Sequence, residues 1–269
     1  MNLVIDGLAQ SSAVSETLSA FGKPLSQSNL ESLRDSGFLL LRGHSVNCMT
    51  WLWMQWLQSG SIKQIKHNVR VFIDRSLEMK SISSHAYFRA YADLFLLHCA
   101  IFGATTKQLR LVAESVLDVS ESALPTIGQN EDIYAMAWCG MLKYYILNDV
   151  RKAEQQYELI WGAYRPPFLS AATKPLVTPW LKGNWPAFVK EQEKDFKKLW
   201  ERGRKDGTVL SESRAETVVT VDRYPIQQKW CWSHCGLALL AYRNGVKVAT
   251  DEFWFPSYSL KCIDQLSGE

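Results

Sequence analysis

No segment of the chain approaches the roughly 20 consecutive apolar residues that a membrane-spanning helix needs. The opening residues, MNLVIDGLAQSS, also lack the basic n-region and the apolar run of a secretory leader. A soluble cytoplasmic protein is the expectation. Charge of one sign is missing as well: 30 Lys and Arg against 27 Asp and Glu leave a net charge of only +3. That balance argues against a general nucleic-acid binder, which would show a strong basic excess. Several chemical signatures are absent too. There is no Gly-x-x-x-x-Gly-Lys loop and no Gly-x-Gly-x-x-Gly turn to cradle phosphates. There is no His-Glu-x-x-His pair for a metal and no Gly-x-Ser-x-Gly elbow for a nucleophile. No fixed-period repeat runs along the chain, which argues against a regular solenoid.

What is present is a large core. The 269 residues are 47% apolar and 21% charged, ordinary values for a globular chain. The six cysteines, Cys48, Cys99, Cys139, Cys231, Cys235 and Cys262, are scattered, mostly within apolar runs. Reduced, buried thiols fit a chain of this length better than a disulfide framework.

Read in order, the chain is helix after helix. Residues 1–25 form an N-terminal arm ended by Pro24, and 26–269 read as a single helical domain. Ser26 starts a short helix with Gly37 just past its end. Residues 38–42 form a short buried strand or the first turn of something longer. The segment 47–58 is apolar nearly all round, as a core helix would be. Residues 61–80 are amphipathic, with Lys63, Lys66, Arg70 and Arg75 on the wet side. The stretch 85–102 reads as a central helix closed by Gly103. Thr105 or Thr106 caps the next, expected to run to Val119 with Leu109, Val112 and Val116 inward. Asn130 caps a helix through Leu147, with Glu131 and Asp132 in its first turn, where the helix dipole favours carboxylates. Asn148-Asp149 turns the chain into a second helix to about Tyr164, giving an antiparallel hairpin. Three prolines in 168–186 predict short helical turns and loops. Residues 185–204 form a charged amphipathic helix with Phe188, Phe196, Leu199 and Trp200 inward. Its Glu191, Glu193 and Asp195, interleaved with lysines, read as a solvated face.

The stretch 222–258 organises the rest. Its apolar positions from Trp230 to Ala241 cover more than one face, so this helix belongs inside the fold. Gly245 closes it, since a residue without Cβ takes the left-handed conformation freely. Val246, Val248, Phe253 and Phe255 then alternate as a strand or extended arm would, until Pro256. The whole pattern predicts an all-α, or nearly all-α, domain of packed helical hairpins with a short extended C-terminal arm.

Two constellations could carry function. Cys231, His234 and Cys235 share one helical neighbourhood, but zinc needs a fourth ligand and usually a loop-borne cysteine pair. Buried small hydrophobes are the better reading of the cysteines, and no metal or cofactor is expected. Ser233, His234 and Asp251 lack the local framework of a hydrolase. The second constellation is a charge asymmetry. From Arg110 to Lys143 no basic residue intervenes, while Glu114, Asp118, Glu121, Glu131 and Asp132 all occur. If the helix extends far enough, Glu114, Asp118 and Glu121 share a face. An ordinary solvated face accounts for this, and so does a patch for a basic partner protein.

Two segments bear a family resemblance: EDIYAMAWCGMLKYYILNDVRKAEQQYELI at 131–160 and WCWSHCGLALLAYRNGVKVATDEFWFPSYSL at 230–260. The first is a hairpin with an Asn-Asp turn. The second is a helix ending in Asn-Gly and leading to Asp, aromatics and Pro. Both resemble the all-helical immunity protein 49 family of bacterial polymorphic toxin systems. The resemblance implies a non-enzymatic inhibitor that binds a cognate toxin domain, of type VI or Rhs-type delivery, and occludes its active site. An adaptor that binds a peptide or partner protein in a helical groove is the alternative expectation.

Overall fold

The computed structural model describes residues 89–119, 130–163, 172–205, 232–250 and 258–265, together with Lys66, Val69, Arg70, Ile73, Asp74 and Leu77. Expectations for 1–65, for 120–129 and for 206–231, and those for Phe253 and Phe255, lie outside the described residues. The fold is all-α. Its helices, in order, are α1 (Arg89–Gly103), α2 (Thr106–Ser115), α3 (Asn130–Ile146), α4 (Val150–Gly162), α5 (Lys174–Leu181), α6 (Trp185–Lys205), α7 (Trp232–Arg243) and α8 (Tyr258–Asp264). No strand occurs among the described residues.

Among the described helices the hairpin α3–α4 is the most extensive pairing, and α1 packs across α3. Its turn rests on Asn148, which adopts φ 64°. That left-handed residue lets Asp149 N–H reach Tyr144 O (2.8 Å) and Asn148 N–H reach Tyr145 O (3.1 Å). The last carbonyls of α3 are thereby satisfied. Asp149 then caps α4, its Oδ1 accepting from Lys152 N–H at 3.1 Å. The same closure recurs twice, at Gly183 (φ 66°) after α5 and at Gly245 (φ 79°) after α7. Thr105 caps α2 in a reciprocal box with Gln108.

Two elements differ from the sequence expectation, the first for a tertiary reason. Helix α2 stops at Ser115, not Val119. Asp93 Oδ2 takes the N–H of Leu117 at 2.9 Å, and Lys143 Nζ takes the carbonyl of Val116 at 2.9 Å. Those bonds replace the next helical turn. Residues 174–181, within the proline-rich stretch, form a complete short helix despite Pro179 inside it. The residues after Gly245 take the extended-arm alternative, and among the described residues they pair with no strand. Val246 and Val248 are buried while Lys247 is exposed, and Ala249 N–H is held by Gln192 Oε1 at 3.1 Å.

Helix α7 lies inside the molecule. Ser233 through Ala241 are buried, polar residues included. Trp180 of α5 donates its indole N–H to Leu237 O at 3.0 Å. Arg243 reaches α1 and donates to the carbonyls of Ile101 and Ala104, both at 2.9 Å. Burial pulls its guanidinium down to about 10, still charged at neutral pH. A cation there meets the negative end of the α1 dipole.

The crossing of α7 on α1 depends on Gly236. A Cβ placed on it would stand 2.6 Å from Cε1 and 2.7 Å from Nδ1 of the His98 ring. His98 cannot retreat, because its Nε2 accepts from the Trp138 indole at 3.3 Å within the core. Gly to Ala inside a helix ordinarily stabilises by about 1 kcal/mol. Here Gly236→Ala is expected to destabilise by about 1–3 kcal/mol, the usual cost of overpacking. Chemical denaturation measures it; a more stable variant would show that the close approach carries no constraint.

Candidate functional site

The acidic residues singled out from sequence are not brought together as one helical stripe. Glu114 is exposed near the end of α2, on the same outward face as Lys107, Arg110 and Leu111. Leu111 is 51% exposed, an apolar side chain among charges. Asp118 lies beyond the end of α2 and is half-buried. Its Oδ2 accepts a hydrogen bond from the Tyr144 hydroxyl. Glu121 falls outside the described residues. Glu131 and Asp132 stand in the first turn of α3, as expected, but their side chains are outside the description.

Basic groups absent from this stretch in sequence arrive from elsewhere in the fold. Lys143 Nζ is 5.3 Å and Lys152 Nζ 5.0 Å from the centroid of the Tyr144 ring, close enough for cation–π attraction. Tyr144 thus joins Asp118 to two lysines. Burial raises its hydroxyl pKa first, and the hydrogen bond and charge of Asp118 add to this, taking it to about 12.

The cysteine and histidine constellation is enclosed in the core. Cys235 is buried and in no disulfide, as are Cys99 and Cys139; Cys231 lies outside the description. Among the described residues no group of His, Cys, Asp and Glu is placed to hold a metal ion. His234 Nε2 instead meets Asp195 Oδ2 at 3.3 Å, with Thr173 Oγ1 donating to the same oxygen at 2.9 Å. Burial pushes the Asp195 carboxyl up, but bonds from His234 and Thr173, with the charges of His234 and Lys198, outweigh it. The carboxyl therefore lies below its ordinary range. This corrects the reading of Asp195 as part of a solvated face: it is 3% exposed. Ser233 Oγ accepts from Ala172 N–H at 2.8 Å, which commits it to holding the approach to α5.

A surface feature missed by the sequence reading lies between α5 and α6. An open groove of about 930 Å³ is lined by Lys174, Pro175, Pro179, Lys182, Ala187 and Lys190, with Thr178, Asn184 and Glu191. The signal was legible. From Leu159 to Lys190 the chain has no Asp or Glu, while Arg165, Lys174, Lys182 and Lys190 occur. It is the counterpart of the acid-only stretch at 111–142. No known family, curated protein or solved structure matches the chain.

Tyr144 provides a pH test. Its folded pKa is about 12 against 10.0 for the free side chain. Its stabilising contribution is therefore complete below pH 10 and is lost as pH rises toward 12. The stability gap between the protein and Tyr144→Phe should stay constant below pH 10 and shrink across that window. Thermal unfolding at stepped pH measures it, and a gap constant throughout would mean that the Asp118 bond does not hold the proton.

Proposed function

We propose that this chain is an immunity-type inhibitor, a helical protein that binds a cognate bacterial toxin domain and occludes its active site. It would protect the producing cell from a type VI or Rhs-type effector. The observation that carries the reading is the division between interior and surface. His98, His234, Asp195 and Cys235 are nearly inaccessible and committed to packing or to bonds within the core. What solvent meets on α2 is charge around an isolated leucine, Leu111 beside Glu114. A small apolar centre within a charged rim suits protein–protein association. The resemblance of 131–160 and 230–260 to immunity protein 49 supports the same class. The groove between α5 and α6 favours the second reading, an adaptor that takes a peptide.

Co-expression with the toxin domain encoded next to this chain tests the proposal. Rescue of growth and co-purification of a stable complex are expected. Charge reversal at Glu114 and Glu121 should then weaken the complex about tenfold, because like charges would face each other. Asp118 is better left in place, since it holds Tyr144. Neither rescue nor complex with a soluble, folded chain would overturn the immunity reading in favour of the adaptor.

A further inference from the structure

The α5–α6 groove gathers positive charge that no carboxylate among the described residues pairs with, although the centroid of the Tyr157 ring lies 5.9 Å from Lys174 Nζ. Lys174 stands at the start of α5, Lys182 at its C-cap, and Lys190 on the facing turn of α6. All three are exposed. Among the described residues none of them forms an ion pair; the pairs present are Lys152–Asp149, Lys194–Glu191, Lys198–Asp195 and His234–Asp195. The one carboxylate on the groove wall, Glu191, is engaged by Lys194 at 3.2 Å. Cations of like sign gathered on one concave surface without a counter-charge repel one another, and an anionic partner relieves that repulsion.

The walls discriminate between kinds of anion. Pro175, Pro179 and Ala187 give the groove an aliphatic lining, and among the described residues no aromatic ring lines it for a base to stack on. A polypeptide brings acidic side chains to meet the lysines and apolar ones to meet this aliphatic wall. A phosphodiester backbone brings charge but no apolar group for the wall, and its bases find no ring there to stack on. Thr178 is already used, bonded to Lys174 O at 2.8 Å and to the Tyr157 hydroxyl. Asn184 caps α6, its Oδ1 accepting from Ala187 N–H at 3.4 Å.

We propose that this groove binds an acidic, extended segment of a partner protein, with Lys174, Lys182 and Lys190 meeting its carboxylates and Pro175, Pro179 and Ala187 meeting its apolar side chains. The site is separate from α2 and stands whether or not the partner is a toxin.

The test titrates the full-length protein, at low salt, with a short labelled peptide carrying Glu at alternate positions. The same peptide with Gln for Glu and a single-stranded oligothymidylate serve as controls. The Glu peptide should bind, the Gln peptide and the oligonucleotide less well, with affinity falling as salt rises. The triple variant Lys174→Gln, Lys182→Gln, Lys190→Gln should bind the Glu peptide about tenfold more weakly, and the triple Lys→Arg variant should restore it. Helical circular dichroism confirms that both variants fold. Equal or tighter binding of the oligonucleotide would assign the groove to nucleic acid instead. Undiminished binding by the Gln variant, or no binding of the Glu peptide, would overturn the proposal.

Discussion

A helix with no wet side must have its polar groups answered from within, and α7 sets that condition for the whole molecule. Burying an unpaired donor or acceptor costs about 1–3 kcal/mol, a large share of ordinary protein stability. Four neighbours meet most of the demand, and among the described residues His234 Nδ1 alone on α7 is left buried without a partner. The stretch before α5 places Ala172 N–H on Ser233. Helix α6 brings Asp195 to His234, α5 brings the Trp180 indole to Leu237 O, and α1 offers its final carbonyls to Arg243. Gly236 removes the side chain that would hold α1 away. Each neighbour's position is thus dictated by a polar group on α7 as much as by apolar packing.

The features that could be read from sequence were local ones. Thr105, Asp149 and Gly245 act at the helix ends where their residue types predict, because a cap bonds to backbone three or four residues away. The hairpin around Asn148 was legible for the same reason. The buried character of α7 followed from apolar residues on all sides. Where a distant side chain outbids the local preference, sequence reasoning failed. Asp93 and Lys143 end α2 early, from 24 and 27 residues away. Asp195 looked solvated because its neighbours are lysines. Yet it shares the inward face of Phe188, Gln192 and Phe196 at helical spacing, and that spacing was available.

The candidate surfaces divide in the same way. Charge segregation along the chain marked an acidic region and, unnoticed, a basic one. Sequence could not show that Tyr144, between Lys143 and Lys152, would draw Asp118 out of the acidic set. Nor could it show that lysines eight positions apart would border one concavity. That depends on Gly183, whose left-handed backbone folds α5 back against α6.

Arg243 adds a constraint on the order in which the molecule is completed. The carbonyl of Ile101 that it satisfies lies 142 residues earlier in the chain. A ribosome delivers α1 and the α3–α4 hairpin long before it delivers their guanidinium. Until then the end of α1 must stay hydrated, and the slot for α7 has no occupant. The helices that precede α7 are therefore not a smaller version of this protein. Packing of these earlier helices against α7 waits until that later segment has been made.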